Sequence, residues 1–457
     1  MKRGKSPGHD GLSIEHLQHA GVHLPRVLSM LFNLCIRHSY LPASLMRTLV
    51  VPIVKNRTGD VSDRNNYRPI SLATVTAKVL DGLLNKQLDN YLHLHDAQFG
   101  FRAGLSTESA IFTLKETVKY YTQRQTPVYG CFMDLSKAFD MVSYRILWGK
   151  LRATGMPKEL VDLFSYWYER QENCVRWAGA VSDTYRLECG VRQGGLTSPK
   201  LFCLYVDELI AGLSSTYAGC SIDGQMVNNI SYADDMVLLS PSVSALGDLL
   251  RKCETYADSH GLKYNCLKKQ VMVFAVRGRS VDYVPPIKLH DRELEKVDQF
   301  KYLGHIITSD LKDDSDIERE RRALAVRGNM LARRFAHCTG EVKRTLFKSF
   351  CQSFYTSGLW VSYTQRALNA LRVLYNNMFR VLMGLPRFCS ASGMFADAHV
   401  EDFHAVMRKK IVSIRSRIQG SPNSILNMLA DRPDSLLQRH WMSALINPHS
   451  GEVYYLN

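Results

Sequence analysis

The sequence predicts an α+β protein: a mixed sheet with helices on one face, followed by a helical region. Apolar runs typical of strands alternate with stretches of helical spacing. Two of these runs flank a short polar interruption, as the strands of a hairpin do. Strand-like runs end at about residue 310, and helical spacing continues beyond it. With 457 residues, 46% hydrophobic and 22% charged, the chain can fill a sizeable core, which excludes disorder as its main state.

The first 125 residues are predicted to be mainly helical. Apolar residues at helical spacing predict helices at 24–49, 73–93 and 106–125, the last capped by Ser106 or Thr107. A strand at Leu49–Val54 leads into a polar loop at 56–66.

The middle of the chain carries most of the predicted strands. They lie at Val128–Asp134, within 227–240 and at Val271–Val276, with helices at 159–169 and 198–213 between them. Beyond residue 311, helices are predicted at 313–338 and 341–383, and Gly384-Leu385-Pro386 is a helix stop signal.

The charge balance favours a polyanionic partner. Lys and Arg number 58 against 43 Asp and Glu, a formal charge of +15, and neutralising phosphates releases counterions. The alternative is a basic protein with no such partner. The 11 cysteines are odd in number and never spaced C-x-x-C, as reduced core cysteines are. No apolar stretch approaches 18 residues, so we expect an intracellular protein without a membrane span.

Acidic residues interrupt two of the apolar runs. Asp134 ends one strand, where functional sites collect, and Asp234 and Asp235 lie together at the tip of the predicted hairpin. Adjacent carboxylates repel each other and are costly beside buried strands unless a cation compensates. Mg²⁺ prefers such oxygen ligands, and two Mg²⁺ held by three carboxylates suit in-line phosphoryl transfer. Taken singly, Asp134 can be a helix cap and Asp234-Asp235 a solvated turn.

The acidic residues lie in two short motifs: Asp134–Asp140 reads DLSKAFD, and Tyr232–Asp235 reads YADD. Six further segments are Lys5–Gly11, Asn66–Leu72 (NYRPISL), Gln98–Thr107, Gly190–Pro199, Gly261–Lys268 and Phe300–Gly304. In this order along about residues 4–308, the eight segments resemble the motifs of reverse transcriptases of the non-LTR (LINE-type) retrotransposons. DLSKAFD resembles motif A and YADD motif C, while the last three of the six further segments resemble motifs B, D and E.

This resemblance implies a right-hand polymerase fold, with an antiparallel palm sheet and an α-helical thumb. The expected divisions are fingers and fingers–palm helices at 1–125, a palm with motifs A to E at 126–310 and a helical thumb at 311–390. Residues 391–457 would form a helical C-terminal segment of unknown role.

The resemblance also implies roles for individual residues. Asp134, Asp234 and Asp235 would be catalytic and would hold two Mg²⁺, which Mn²⁺ can replace, together with the backbone carbonyl of Leu135. Phe139 matches the aromatic gate that excludes a 2′-hydroxyl; its alternative is an ordinary core residue. The remaining substrate-binding residues would be Arg68 at the triphosphate, Gln193 and Gly194 beside the nascent base pair, and Lys268 as a proton donor to pyrophosphate. The alternative for Arg68 is a surface arginine in an ion pair, and the alternative for Lys268 is a solvated lysine in a polar loop.

Arginines are the expected contacts to primer and template. They are Arg102, Arg321, Arg322, Arg333 and Arg334. Because Glu318 and Glu320 lie on the same predicted helix, a solvated helix held by salt bridges is the alternative for the last four. Motif B departs from the family at Arg192, where proline is common, and at Gly195-Leu196; these departures bear on template preference and rate.

The expected function is RNA-directed DNA synthesis, in which dNTPs extend a DNA primer on an RNA template. Because the first motif begins at Lys5, we expect a host or element-encoded endonuclease to supply the primer end. We expect the protein in nucleus and cytoplasm. The alternatives are an inactive nucleic-acid-binding relic, an RNA-dependent RNA polymerase, which usually lacks an aromatic gate, and an intron maturase.

Overall fold

A computed structural model describes residues 3–265, 270–276, 278 and 283–446. The predicted proton donor Lys268 lies outside these residues.

Helices dominate the structure. They are α1 (Ile14–His19), α2 (Leu24–Arg37), α3 (Ala43–Met46), α4 (Val75–Leu88), α5 (Thr107–Gln123), α6 (Tyr144–Ala153), α7 (Lys158–Arg170), α8 (Ser198–Ser214), α9 (Val243–His260), α10 (Asp314–Arg334), α11 (Gly340–Cys351), α12 (Gln365–Met383), α13 (Ala391–Asp397), α14 (Phe403–Gln419), α15 (Ser424–Ala430) and α16 (Leu436–Leu445).

The strands precede the long C-terminal helices. They are β1 (Arg47–Val54), β2 (Tyr67–Ala73), β3 (Val128–Asp134), β4 (Glu172–Trp177), β5 (Ala180–Val181), β6 (Ser221–Ile222), β7 (Gln225–Met226), β8 (Asn229–Tyr232), β9 (Asp235–Ser240), β10 (Gln270–Phe274), β11 (Lys288–Leu289), β12 (Arg292–Glu293), β13 (Glu295–Lys296), β14 (Gln299–Tyr302) and β15 (His305–Thr308). Every named element after β15 is helical, as predicted, and the α+β class is confirmed.

Two of the predicted helices run across a break that the structure shows. The helix predicted at 24–49 ends at Arg37, because Ser39 takes a φ of +48° and Pro42 cannot continue a helix. The helix predicted at 341–383 is two helices, α11 and α12, and between them Thr356 takes a φ of +61°. The second of these begins after Thr364, whose hydroxyl accepts the N–H of Ala367 at 3.2 Å.

One compact unit comprises Met1–Phe101, Asp134–Gly212 and Lys252–Asn265. Its four-stranded sheet has the order β2-β1-β4-β5, with β1 antiparallel to β2 and parallel to β4. The aromatic side chains that α6 and α7 bury form much of its core; they are Tyr144, Trp148, Phe164, Trp167 and Tyr168.

The second unit comprises Arg102–Met133, Leu213–Arg251 and Cys266–Asn457. Its five-stranded sheet has the order β13-β10-β3-β9-β8. The central strand β3 is buried at every position before its last residue, as an apolar strand in the middle of a sheet should be. On this strand Phe132 stacks on Phe300 of β14, with ring centroids 4.2 Å apart.

Helices α13 to α16 are an integral part of the second unit. Trp441 of α16 stacks on Phe112 of α5 with ring centroids 5.7 Å apart, and its indole N–H donates to the Gly358 carbonyl at 2.6 Å. Arg417 of α14 pairs with Glu108 at the start of α5. The described part of the C-terminal segment therefore helps to close the core around α5.

Among the described helices, none has the length and hydropathy that crossing a membrane would require.

Candidate active site

Asp134 lies where β3 ends, as predicted. The next residues are joined to the segment of motif D: Leu135 forms an antiparallel bridge with Tyr264, and the N–H of Ser136 donates to the Lys263 carbonyl at 2.7 Å. Asn265 contacts Asp134 twice, because its backbone N–H donates to the Asp134 carbonyl at 2.8 Å and its side-chain amide to Oδ2 at 3.2 Å. Motifs A and D thus fix the direction of this carboxylate together.

Phe139 lies in a 3-10 turn, Ala138–Met141, five residues after Asp134. Its ring stacks on Phe202 of α8, with centroids 4.9 Å apart and planes 15° from parallel. The exposed ring of Phe101 meets it edge-on at 6.3 Å. Phe139 is half-buried, so part of its ring stays open to the surroundings although it stacks on Phe202. A gate residue needs such an open ring surface, whereas an ordinary core residue would be fully buried.

Motif B is hydrogen-bonded to the turn that carries Phe139. The N–H of Val191 donates to the Phe139 carbonyl at 2.6 Å, and the side-chain amide of Gln193 donates to Asp140 Oδ1 at 3.0 Å. These bonds bring the predicted gate residue and the predicted base-pair platform into one connected surface.

Gly194 approaches strand β2 closely. The N–H of Ser71 donates to the Gln193 carbonyl at 2.8 Å, and a Cβ on Gly194 would lie 3.1 Å from the Ser71 carbonyl oxygen. The φ of Gly194 is +111°, which other residues rarely adopt. Both the conformation and the contact therefore require glycine at this position.

Arg68 lies on β2, three residues before Ser71, and its side chain is exposed. Within the described part of the chain its guanidinium has no hydrogen bond or ion pair. An exposed, uncompensated guanidinium on the strand that contacts Gln193 is available to an incoming phosphate.

Asp234 and Asp235 lie at the tip of the β8–β9 hairpin, as predicted. Tyr232 pairs with Asp235, which leaves Ala233 and Asp234 as the two turn residues. Ala233 has a φ of +58°, in the left-handed region that alanine rarely adopts, and such strain is often found at functional sites. Burial, with the negative charge of Asp235, raises the pKa of the Tyr302 hydroxyl well above its ordinary value.

The carboxylate oxygens of Asp134, Asp234 and Asp235 are the kind of ligand that a hard divalent cation prefers. The strand that ends at Asp134 and the strand that begins at Asp235, β3 and β9, are neighbours in the five-stranded sheet. Carboxylates are the side-chain ligands that Mg²⁺ prefers. Across residues 3–265, 270–276, 278 and 283–446, no group of three or more His, Cys, Asp or Glu side chains is arranged to hold a metal ion.

The predicted nucleic-acid-binding arginines differ in their surroundings. Arg321 and Arg322 of α10 both pair with Glu318, at 2.6 and 2.9 Å, and these hydrogen bonds lower the pKa of Glu318 to about 2. In the protein without nucleic acid, these two arginines therefore fit the alternative of a solvated helix held by salt bridges. Arg333 and Arg334 lie in the last turn of α10, and no ion pair joins them to another described side chain. Arg102 is half-buried.

Sequence patterns did not single out Asp81 or the contact of Asn265 with Asp134. Asp81 of α4 is 3% exposed, whereas the apolar Leu83 of the same helix is 47% exposed. The sequence did contain a signal for the burial of Asp81. It lies four residues after Ala77 and three before Leu84, and this spacing places it on the buried face of the helix.

The chain belongs to the family described as reverse transcriptase (RNA-dependent DNA polymerase), whose model matches residues 54–307, more than half of its length. Its curated relatives are reverse transcriptases of non-LTR retrotransposons, as the sequence motifs predicted. Members of this family generally use divalent metal ions.

Two relatives illustrate the likeness. The Pol polyprotein of the type-1 retrotransposable element R2 from Popillia japonica is 28% identical over 309 residues, covering 66% of this chain and 42% of that protein. The probable RNA-directed DNA polymerase from transposon X-element of Drosophila melanogaster is 22% identical, covering 98% of this chain and 50% of that protein. The chain thus spans half or less of the length of these relatives.

Among solved structures, apo telomerase from Candida tropicalis matches 88% of this chain and 73% of its own, with 11% identity and a TM-score of 0.45. This likeness is too distant to carry a conclusion about function.

Proposed function

We propose that this chain is an RNA-directed DNA polymerase that extends the 3′-hydroxyl of a DNA primer with dNTPs on an RNA template. The observation that carries the proposal is the connected surface of Phe139, Gln193 and Gly194 beside the strand of Arg68. It has a half-buried aromatic ring for the sugar, a glycine without a side chain for a base pair, and an exposed guanidinium for phosphate.

Each residue in this proposal has a distinct task. The Arg68 guanidinium binds the triphosphate, and the ring of Phe139 lies against C2′ of the incoming sugar, where it leaves no room for a hydroxyl. Gln193 and Gly194 support the nascent base pair, and Asn265 holds the Asp134 carboxylate in place. We propose no proton donor for the release of pyrophosphate, because the candidate Lys268 lies outside the described residues.

We propose Mg²⁺ as the metal, as two ions, with Mn²⁺ as a substitute. Asp134, Asp234, Asp235 and the carbonyl of Leu135 would hold them. Bound there, the ions would lower the pKa of the attacking hydroxyl and neutralise charge on the leaving pyrophosphate. The support is the oxygen chemistry of these ligands and the position of the acids at the ends of two adjacent strands.

The partners in this proposal are RNA template, DNA primer and dNTPs, which a formal charge of +15 would attract. An endonuclease of the host or of the element would supply the primer end. We propose the nucleus and the cytoplasm as locations, since a retrotransposon must be copied beside chromosomal DNA.

The test is primer extension with purified protein, poly(rA) annealed to oligo(dT), Mg²⁺ and labelled dTTP. We expect extension that EDTA abolishes and that the Asp234→Ala/Asp235→Ala double variant lacks. Salt-dependent RNA binding by a folded protein without incorporation would contradict the proposal and favour the inactive relic.

The gate can be tested separately with Phe139→Val. We expect discrimination between dATP and ATP opposite a template uridine to fall about 10- to 100-fold, because the smaller side chain admits a 2′-hydroxyl. Single-nucleotide incorporation kinetics measure the ratio of kcat/KM values. Phe388→Val is the matched control, because Phe388 is 91% exposed and makes no part of the site. Unchanged discrimination in Phe139→Val would assign Phe139 a packing role only.

A further inference from the structure

Asp81 joins helix α4 to the loop of motif B. Its carboxylate accepts two hydrogen bonds from that loop: the N–H of Leu196 donates to Oδ2 at 2.6 Å and the hydroxyl of Thr197 donates to Oδ1 at 2.7 Å. Asp81 is 3% exposed and Thr197 is fully buried. The carboxylate therefore fixes the C-terminal side of the loop from a helix that is distant in sequence.

Arg192 fixes the other side of the same loop. Its guanidinium is 3% exposed and lies over the rings of Trp167 at 4.1 Å and Tyr168 at 5.0 Å. Nη2 is 3.7 Å from Asp81 Oδ1. Neither Nε nor Nη2 donates a hydrogen bond to any residue that the structure describes, so the carboxylate and the aromatic faces compensate the buried charge.

The segment between these two anchors is the predicted base-pair platform. Gln193 and Gly194 follow Arg192 directly and precede Leu196, and β2 contacts them through Ser71. A pocket beside them is lined by residues from all three elements, including Ser71, Asp81, Arg192 and Gly194. A shift of either anchor would move the platform relative to Phe139 and Arg68.

We infer that Asp81 and Arg192 are a pair of positioning residues that set the place of Gln193 and Gly194 and thereby the affinity for the incoming nucleotide. The inference rests on the proposed polymerase function. It concerns nucleotide binding rather than the chemical step, because neither side chain lies on the strands that carry the catalytic acids.

The test compares Asp81→Asn, Arg192→Met and the double variant. We expect each single variant to raise the KM for dNTP about tenfold with kcat within about threefold, because a charged hydrogen-bonded anchor of the platform is lost. The double variant is expected to be less impaired than the product of the single effects, since neither charge is left buried alone. Asp89→Asn is the matched control. Asp89 follows α4 and pairs with Lys200 from an exposed position, and among the described residues no hydrogen bond or ion pair joins it to residues 190–198.

A second measurement does not depend on polymerase activity. Hydrogen exchange of peptides covering residues 190–198 should be at least about tenfold faster in Asp81→Asn than in wild type. Asparagine has one neutral acceptor oxygen in place of two charged ones, so the N–H of Leu196 and the hydroxyl of Thr197 can no longer both donate to separate oxygens of this side chain. Asp89→Asn should leave this exchange unchanged.

The two measurements distinguish a failure of the inference on Asp81 and Arg192 from a failure of the polymerase proposal. If wild-type protein incorporates no nucleotide but hydrogen exchange at residues 190–198 is faster in Asp81→Asn, the polymerase proposal is contradicted and the anchoring role of Asp81 is supported. Active wild type with unchanged KM and unchanged exchange in Asp81→Asn would overturn the inference. Single effects that multiply in the double variant would show that the two residues act independently. If Arg192→Met does not fold, Arg192→Lys, which keeps the charge but loses the planar stacking, takes its place with the same expected direction.

Discussion

Replacing Asp234 with asparagine is expected to lower the rate of primer extension by at least about 10³-fold, with the fold preserved. Asparagine has nearly the same shape, so the β8–β9 turn and the strained backbone at Ala233 should remain. The change removes one negative charge from the pair that would hold the metal ions. The measurement is single-turnover extension at saturating dNTP, with circular dichroism to verify folding.

Asp248→Asn is the matched control for this prediction. Asp248 lies on α9 in the same unit and pairs with Arg251 on the exposed face of the helix. We expect its extension rate to stay within about twofold of wild type. An Asp234→Asn enzyme with more than about a tenth of the wild-type rate would exclude Asp234 as a metal ligand.

Replacing Lys115 with methionine is expected to lower the free energy of unfolding by about 3–5 kcal/mol. Lys115 of α5 and Asp313 are 1% and 2% exposed, and their charged atoms are 2.5 Å apart. The ammonium also donates to the Leu359 carbonyl at 2.7 Å, while Asp313 accepts the N–H groups of Val361 and Ser362. Methionine would leave the buried carboxyl group of Asp313 without its counter-ion. Urea denaturation followed by circular dichroism measures the loss.

The double variant Lys115→Met/Asp313→Asn should recover part of this loss, because no uncompensated charge is then buried. Lys348→Met is the control on an exposed face of α11, and we expect a change within about 0.5 kcal/mol. A loss for Lys115→Met as small as that of the control would show that water reaches Asp313 and that the ion pair does not stabilise the core.

Much of the fold was predictable because its local signals were strong. Strand β3 was predicted at the bounds the structure has, since an unbroken apolar run ends at the polar Asp134. The β8–β9 hairpin was predicted from two apolar runs around Asp234 and Asp235. The helix start at Ser106 followed from its hydroxyl, which accepts the N–H of Ser109.

Other elements could not be predicted from local pattern. The break between α11 and α12 occurs where Thr356 adopts a left-handed backbone, and its hydroxyl meets His305 at 2.8 Å. His305 lies 51 residues earlier in the chain, so no window of neighbouring residues contains the cause. The division into fingers, palm, thumb and C-terminal segment remains a prediction, as do the individual roles of the site residues.

The sequence by itself determined the class of protein, the positions of the acids and the strands that carry them, because hydrophobic periodicity and motif spacing are properties of neighbouring residues. Only the tertiary structure decided which distant side chains meet. Asp81 binds the motif B loop 115 residues away, and Lys115 binds Asp313 198 residues away. Such buried polar groups must find partners, but the partners are selected by the packing of whole helices and strands, which no local pattern encodes.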